Sequence, residues 1–137
     1  MPPILEKLSR QAGVSLGLGS EHFNSVNLNW YEDGADRVGW HADDEKLFAN
    51  PKGFAIASLS LGATRTFEYA PFDGSQRGRT RKKSLVDGSI LTMEGLFQSE
   101  YQHQVPCELE VDTQRVNLTF RRIEVIITNT LRNSHLG

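Results

Sequence analysis

From Phe23 onward, apolar and polar residues alternate in short runs separated by turn-forming residues. In Val26-Asn27-Leu28-Asn29-Trp30-Tyr31, an extended chain places Val26, Leu28 and Trp30 on one face. Asn27, Asn29 and Tyr31 take the other. The same period predicts strands over Phe54–Leu61, Arg65–Tyr69, Ser84–Val86, Ser89–Met93 and Tyr101–Val105, with a long last run over Arg115–Thr128. Gly62, Pro71 to Gly78, Gly88, Gly95 and Pro106 punctuate the runs as turns. Only the beginning of the chain has a different period. There Pro2 and Pro3 open a helix, Ile4, Leu5, Leu8 and Ala12 fall at helical spacing, and Gly13 ends it. Val14 to Glu21 reads as a connection. The polar stretch Asp73–Lys83 reads as a long hairpin loop. Many short strands with turns between them predict a mainly β domain with a short N-terminal helix, built as a sandwich, jelly roll or small barrel.

Composition narrows this picture. The 137 residues fit one domain, 1–137, and 38% of them are hydrophobic, enough to fill a core. No apolar run approaches the roughly 18 residues that span a bilayer, so no membrane partner is expected. The first residues lack the basic and apolar blocks of a secretory signal. The single cysteine, Cys107, excludes an internal disulfide framework and a multi-cysteine metal cluster. An intracellular setting is the expectation, cytoplasmic in a bacterium, nuclear or cytoplasmic in a eukaryote. A net charge of −2 does not announce a nucleic-acid binder. The cluster Arg77, Arg79, Arg81, Lys82 and Lys83 is nevertheless a dense positive patch, suited to phosphate contacts or to a solvated loop.

Two constellations carry chemistry. In His41-Ala42-Asp43, an extended backbone turns the imidazole and the carboxylate to one side. His103 lies 62 residues later on another expected strand. Two His and one carboxylate form the facial triad of non-haem Fe(II) oxygenases, although the same set can hold Zn²⁺ or serve structure alone. The second constellation is Arg115-Val-Asn-Leu-Thr-Phe-Arg121. Val116, Leu118 and Phe120 form an apolar face, and Arg115, Asn117, Thr119 and Arg121 form the opposite one. Two guanidinium forks flanking two neutral hydrogen-bonding residues suit a small diacid gripped at both ends, such as 2-oxoglutarate.

With these motifs in view, the chain resembles the AlkB family of Fe(II)- and 2-oxoglutarate-dependent dioxygenases. The resemblance runs through Asn29-Trp-Tyr31, Trp40-His-Ala-Asp-Asp-Glu45, Ser60-Leu-Gly-Ala-Thr-Arg-Thr-Phe67, Met93-Glu-Gly95, Gln102-His-Gln-Val-Pro106 and Arg115–Arg121. The Ser60 and Met93 blocks are most like the animal homologue that prefers single-stranded DNA and RNA. The resemblance implies a double-stranded β-helix, a cupin-like jelly roll. It implies Fe(II) on His41, Asp43 and His103, with O₂ as oxidant. It implies 2-oxoglutarate on Asn29, Tyr31, Arg115, Asn117 and Arg121, with Thr119 assisting. Asp44 and Glu45 would face the substrate base, and Arg65 would stand near the substrate pocket.

The activity implied is oxidative demethylation of N-methylated bases in single-stranded DNA or RNA, with release of formaldehyde, succinate and CO₂. The enzyme would act as a monomer. One alternative keeps the chemistry and changes the substrate to a protein or another non-nucleic-acid molecule. A different one is a silent binding module that retains the barrel. Only 28 residues precede Asn29, so the nucleotide-recognition lid of the family is expected to be short or missing.

Overall fold

The structure is a computed structural model and describes residues 1–44, 55–72 and 79–123. Helix α1 spans Pro3–Ser15, with a proline in its first turn where the missing N–H costs nothing. It runs past Gly13. Its stop signal is Gly17, whose φ of 71° is the left-handed conformation that ends helices. The Gly17 and Leu18 amides then donate to the Val14 and Gly13 carbonyls, closing the last turn.

Among the described residues eight strands follow: β1 Ser25–Tyr31, β2 Val38–His41, β3 Ile56–Gly62, β4 Arg65–Pro71, β5 Arg81–Leu85, β6 Ile90–Met93, β7 Tyr101–Val105 and β8 Arg115–Arg121. One turn of helix, α2 (Phe97–Glu100), precedes β7. The strands form two antiparallel four-stranded sheets, ordered β1-β8-β3-β6 and β2-β7-β4-β5. This is the jelly-roll arrangement expected from the sequence. Among the described residues, no helix is long and apolar enough to cross a membrane.

β8 is central to the first sheet, paired with β1 along its whole length and with β3 on its other side. Its apolar face, Leu118 and Phe120 with Val116, packs with Ala57, Leu59 and Phe23 beneath α1. Leu5, Leu8 and Ala12 are the helix's contribution. A second apolar cluster, including Tyr31, Ile56, Phe67, Leu85, Met93 and Val105, joins the two sheets. The polar row of β8 faces the interior between them.

The two faces of β1 separate as the alternation predicts: the Asn27, Asn29 and Tyr31 face turns inward to line a cavity, while Leu28 and Trp30 are exposed. Partnership with β8 decides this: Asn29 lies opposite Asn117 and Tyr31 opposite Arg115, so the polar rows share a side. The expected hairpin loop up to Lys83 is shorter, because Arg81, Lys82 and Lys83 pair with Tyr69, Glu68 and Phe67 on β4. Val38–His41 and α2 are elements that periodicity did not reveal. Phe54 and the run beyond Ile123 lie outside the described residues.

Arg65 at the start of β4 ties three segments together. Its side chain is fully buried, and Nε donates to Glu108 Oε2 at 2.8 Å. Nη1 donates to the Asp33 carbonyl at 3.1 Å, and Nη2 to the Asp36 and Pro106 carbonyls at 2.8 and 2.7 Å. Thr66 adds its amide and hydroxyl to the Glu108 carboxylate. The two clamped loops are themselves paired through Gly34, which exchanges backbone bonds with Glu108 and Val111. A Cβ there would lie 1.7 Å from the Glu108 carbonyl oxygen, so only glycine fits.

Removing the anion would leave a buried guanidinium uncompensated. Glu108→Gln is therefore expected to lower stability by about 3 kcal/mol at neutral pH, measured by urea denaturation. Burial pushes the Glu108 carboxyl up, but the bonds from Thr66 and Arg65 outweigh it and hold it below its ordinary value of 4.5. A depressed carboxyl contributes stability above that ordinary value and loses it as pH falls through the folded value. The gap between wild type and variant should narrow below pH 4.5.

Candidate metal and anion site

His41 and His103 face each other across the β2–β7 ladder. Their ring centroids are 4.3 Å apart. His41 sits at the edge of its sheet, and its Nδ1 lies 2.7 Å from the Gly39 carbonyl. That contact turns Nε2 toward the interior. His103 is buried and stacks on Phe67, with centroids 5.2 Å apart. Asp43 completes the group from the segment after β2. Its Oδ2 is 3.5 Å from His103 Nε2 and its Oδ1 3.8 Å from His41 Nε2. All three ligand atoms fall within 4.8 Å of one another. Neighbouring ligands of a six-coordinate ion lie roughly 3 Å apart, so a small contraction closes this set around one metal.

The surroundings keep Asp43 ionised. Burial pushes the Asp43 carboxyl up, but the hydrogen bond from His103 and the charges of Arg121, His103 and His41 outweigh it. Asp43 is thus held below its ordinary pKa, ready as an anionic ligand. Arg121 Nη2 donates to Asp43 Oδ1 at 3.0 Å and fixes that oxygen from behind. On the other flank, the Asp43 amide donates to Gln98 Oε1 at 2.8 Å. The Gln98 side chain is buried, with Nε2 3.3 Å from the Met93 sulfur.

The polar row of β8 continues into the same cavity of about 240 Å³. Arg115 is 1% exposed, and its Nη2 donates to Ser60 Oγ at 2.9 Å and to Asn117 Oδ1 at 3.2 Å. Ser58 donates to the same Asn117 oxygen, and Asn117 Nδ2 donates to Thr119 Oγ1 at 2.8 Å. Arg115 Nε and Nη1 are buried without a hydrogen-bond partner among the described residues. Burial lowers the Arg115 pKa and the neighbouring Tyr31 phenol raises it, with a net downward shift. A guanidinium nevertheless keeps its proton in proteins, so these two nitrogens call for an anion. A carboxylate fits that demand, and a triad with open positions fits a metal that binds the other end of the same molecule.

The cavity therefore brings together His41, Asp43, His103, Asn29, Tyr31, Arg115, Asn117, Thr119 and Arg121. Arg65 is placed elsewhere. Its donors already serve protein acceptors, and its guanidinium reaches the site only as a cation 5.3 Å from the Tyr31 ring centroid. That is an architectural position, and Arg65 does not line the cavity. Asp44 is exposed and does not line the cavity, and Glu45 lies outside the described residues. Ser58, Ser60 and Gln98 were missed. The two serines had a signal: they alternate with Ala57 and Leu59 in an otherwise apolar strand, opposite Thr119 and Asn117. Gln98 sits in a single helical turn with no periodicity to read.

Substitution of His41, Asp43 or His103 by Ala is expected to abolish divalent-metal binding, followed by calorimetric titration with Co²⁺. Wild-type affinity in any of them would remove that ligand. Gln98→Ala should weaken Co²⁺ binding about tenfold by freeing the Asp43 backbone, in the range seen for groups that orient metal ligands. Arg115→Ala should weaken 2-oxoglutarate binding by about 1.5 to 3 kcal/mol, the worth of a charge-assisted bond, in the same titration.

The description "2OG-Fe(II) oxygenase superfamily" belongs to a family model that matches residues 1–121. The mouse protein "Alpha-ketoglutarate-dependent dioxygenase alkB homolog 3" is 44% identical over 110 residues, 76% of this chain and 38% of that protein. The human protein "DNA oxidative demethylase ALKBH2" is 36% identical over 126 residues, 88% of this chain and 46% of that one. The chain thus spans less than half the length of these two relatives. The solved structure of OsALKBH1 superposes with a TM-score of 0.62 at 21% identity, covering 89% of this chain and 66% of that one, and agrees in fold. Sequence match, jelly-roll architecture and the His-Asp-His group beside an arginine-lined cavity lead to one conclusion: the chain belongs to the 2OG-Fe(II) oxygenase superfamily and, within it, to the AlkB family.

Proposed function

We propose that this chain is the catalytic domain of an Fe(II)- and 2-oxoglutarate-dependent dioxygenase that demethylates N-methylated bases in single-stranded DNA or RNA. The observation that carries the reading is Arg115, a buried cation with two nitrogens unpartnered among the described residues, in the cavity that also holds the triad. The names of the mouse and human relatives support the chemistry and the nucleic-acid substrate.

When bound, Fe(II) with 2-oxoglutarate supplies the power to hydroxylate an unactivated C–H bond with O₂. The protein's part is placement. His41, Asp43 and His103 would hold the metal, a ligand set of the kind that suits Fe(II) and its cosubstrate. Arg115 would hold a carboxylate of the cosubstrate, with Tyr31 beside it: the guanidinium lies 5.0 Å from that ring centroid. Arg121, held against Asp43, balances charge at the metal end. Asn29, Asn117 and Thr119 supply neutral hydrogen bonds along the diacid. Asp44 is exposed next to Asp43, where a carboxylate can accept from the amino edge of a base. Hydroxylation of an N-methyl group gives a hemiaminal that collapses to formaldehyde and the unmethylated base, with succinate and CO₂ from the cosubstrate. A base inside a duplex presents neither its methyl group nor its edge to such a site, and an unpaired base avoids the unstacking cost.

The test is formaldehyde release from methylated oligonucleotides supplied with Fe(II), ascorbate and 2-oxoglutarate. Single strands should turn over faster than the same sequence in duplex. Equal rates would defeat the strand preference. Succinate formation with no formaldehyde from any methylated nucleic acid would move the substrate to another class, such as a protein.

A further inference from the structure

The basic segment before Leu85 divides by strand alternation. Leu85 is buried and belongs to the apolar cluster between the sheets. Arg81 and Lys83 share its parity, so they lie on the side of β5 that faces the metal ligands. Lys82 lies on the opposite side. There its amine is 3.0 Å from Glu68, which also accepts from Gln104.

Register extends this division across the sheet. Arg81 lies opposite Tyr69, Tyr69 opposite His103, and His103 opposite His41. One cross-strand row therefore runs from the exposed edge to the metal centre. Two strand spacings put Arg81 about 10 Å from His103 along it. Lys83 lies opposite Phe67, the ring on which His103 stacks.

Between the cations and the metal stands a group of rings. Phe97 and Tyr101 stack nearly parallel, 5.3 Å apart with a 7° interplanar angle. Tyr69 is 6.0 Å from Tyr101, and Phe97 is 5.9 Å from His103. Tyr69, Phe97 and Tyr101 are all only partly buried. A surface hollow lined by Pro71, Arg79, Thr80, Arg81 and Tyr101 joins them to the basic edge. Lysines on an edge strand also discourage pairing with other chains. That purpose needs no aromatic shelf, and it does not require the cations to share one face.

We propose that this shelf seats the nucleotide next to the reacting base, with Arg81 and Lys83 on its phosphates and the Tyr101 ring against its base. Cations along a strand beside half-exposed rings are how proteins track a single-stranded backbone and stack its bases. The proposal deepens the nucleic-acid reading above and rests on it. It also assigns Lys82 no part, although it lies between the two cations that act.

The test is fluorescence anisotropy of labelled single-stranded oligothymidine, and of an abasic strand of equal length, across a salt series. Each phosphate contact adds about 0.7 to the slope of log affinity against log salt on single strands. The double variant Arg81→Gln/Lys83→Gln should lose about 1.4 from that slope. Lys82→Gln should keep it. Tyr101→Ala should weaken oligothymidine about tenfold and leave the abasic strand unchanged, and Tyr101→Phe should restore binding. An unaltered slope in the double variant, or equal loss in Lys82→Gln, overturns the phosphate assignment. Equal weakening of both strands by Tyr101→Ala overturns the stacking. If the wild type releases formaldehyde from oligonucleotides while these variants behave like it, this inference falls alone. If the wild type binds no oligonucleotide, it falls together with the reading it rests on.

Discussion

Two guanidinium groups that cannot give up their protons are buried in this small domain, each about 1% exposed and each near 5 Å from the ring of Tyr31. Burying a cation is costly unless acceptors surround it. Arg65 is fully provided for by a carboxylate and backbone carbonyls from two loops, so it holds the fold together. Arg115 keeps Nε and Nη1 unpartnered. Its neighbours Ser58, Ser60, Asn117 and Thr119 satisfy one another and one of its nitrogens, and go no further. The difference between these two arginines, one saturated and one with donors to spare, is sharper than anything residue type or burial shows.

The position of β8 makes this contrast possible. As an inner strand it is buried on both faces, and alternation gives each face its own chemistry. Phe120 and Leu118 anchor the sheet to α1, while the four polar side chains of the other face enter the cavity. The second sheet answers with His41 and His103 in register. The site is thus assembled from ladders, not loops, apart from Asp43. For that residue Gln98 and Arg121 replace the missing ladder by holding the backbone and the carboxylate.

Alternation made β8, His103 and most strands legible in the sequence, because period two survives wherever a strand separates unlike environments. On β1 it separated the two faces correctly: the side bearing Asn29 and Tyr31 lines the polar cavity, and Leu28 and Trp30 are solvent-facing. It was silent on β2 and α2, four residues each, too short for a period to show. The basic run before Leu85 looked like loop because an exposed edge strand carries no apolar alternation. Arg65 stood in a block that resembles the family, yet a block identifies a position and not the partners of its side chain. Those partners, at Asp33, Asp36, Pro106 and Glu108, are distant in sequence and only the folded chain brings them together.

β2 is four residues long, lies at the edge of its sheet, and loses register with β7 between Val38 and His41. Few backbone bonds hold such a strand, so it belongs to the part of a fold that opens most readily. Yet it carries His41, and its continuation carries Asp43. An ion shared by these residues and His103 is a cross-link between a weakly held edge and an inner strand. The apo and loaded proteins would then differ in local opening even where their average backbones coincide. Amide exchange at β2 would report metal loading directly, and a protease would meet two different substrates depending on whether the cell had supplied the ion.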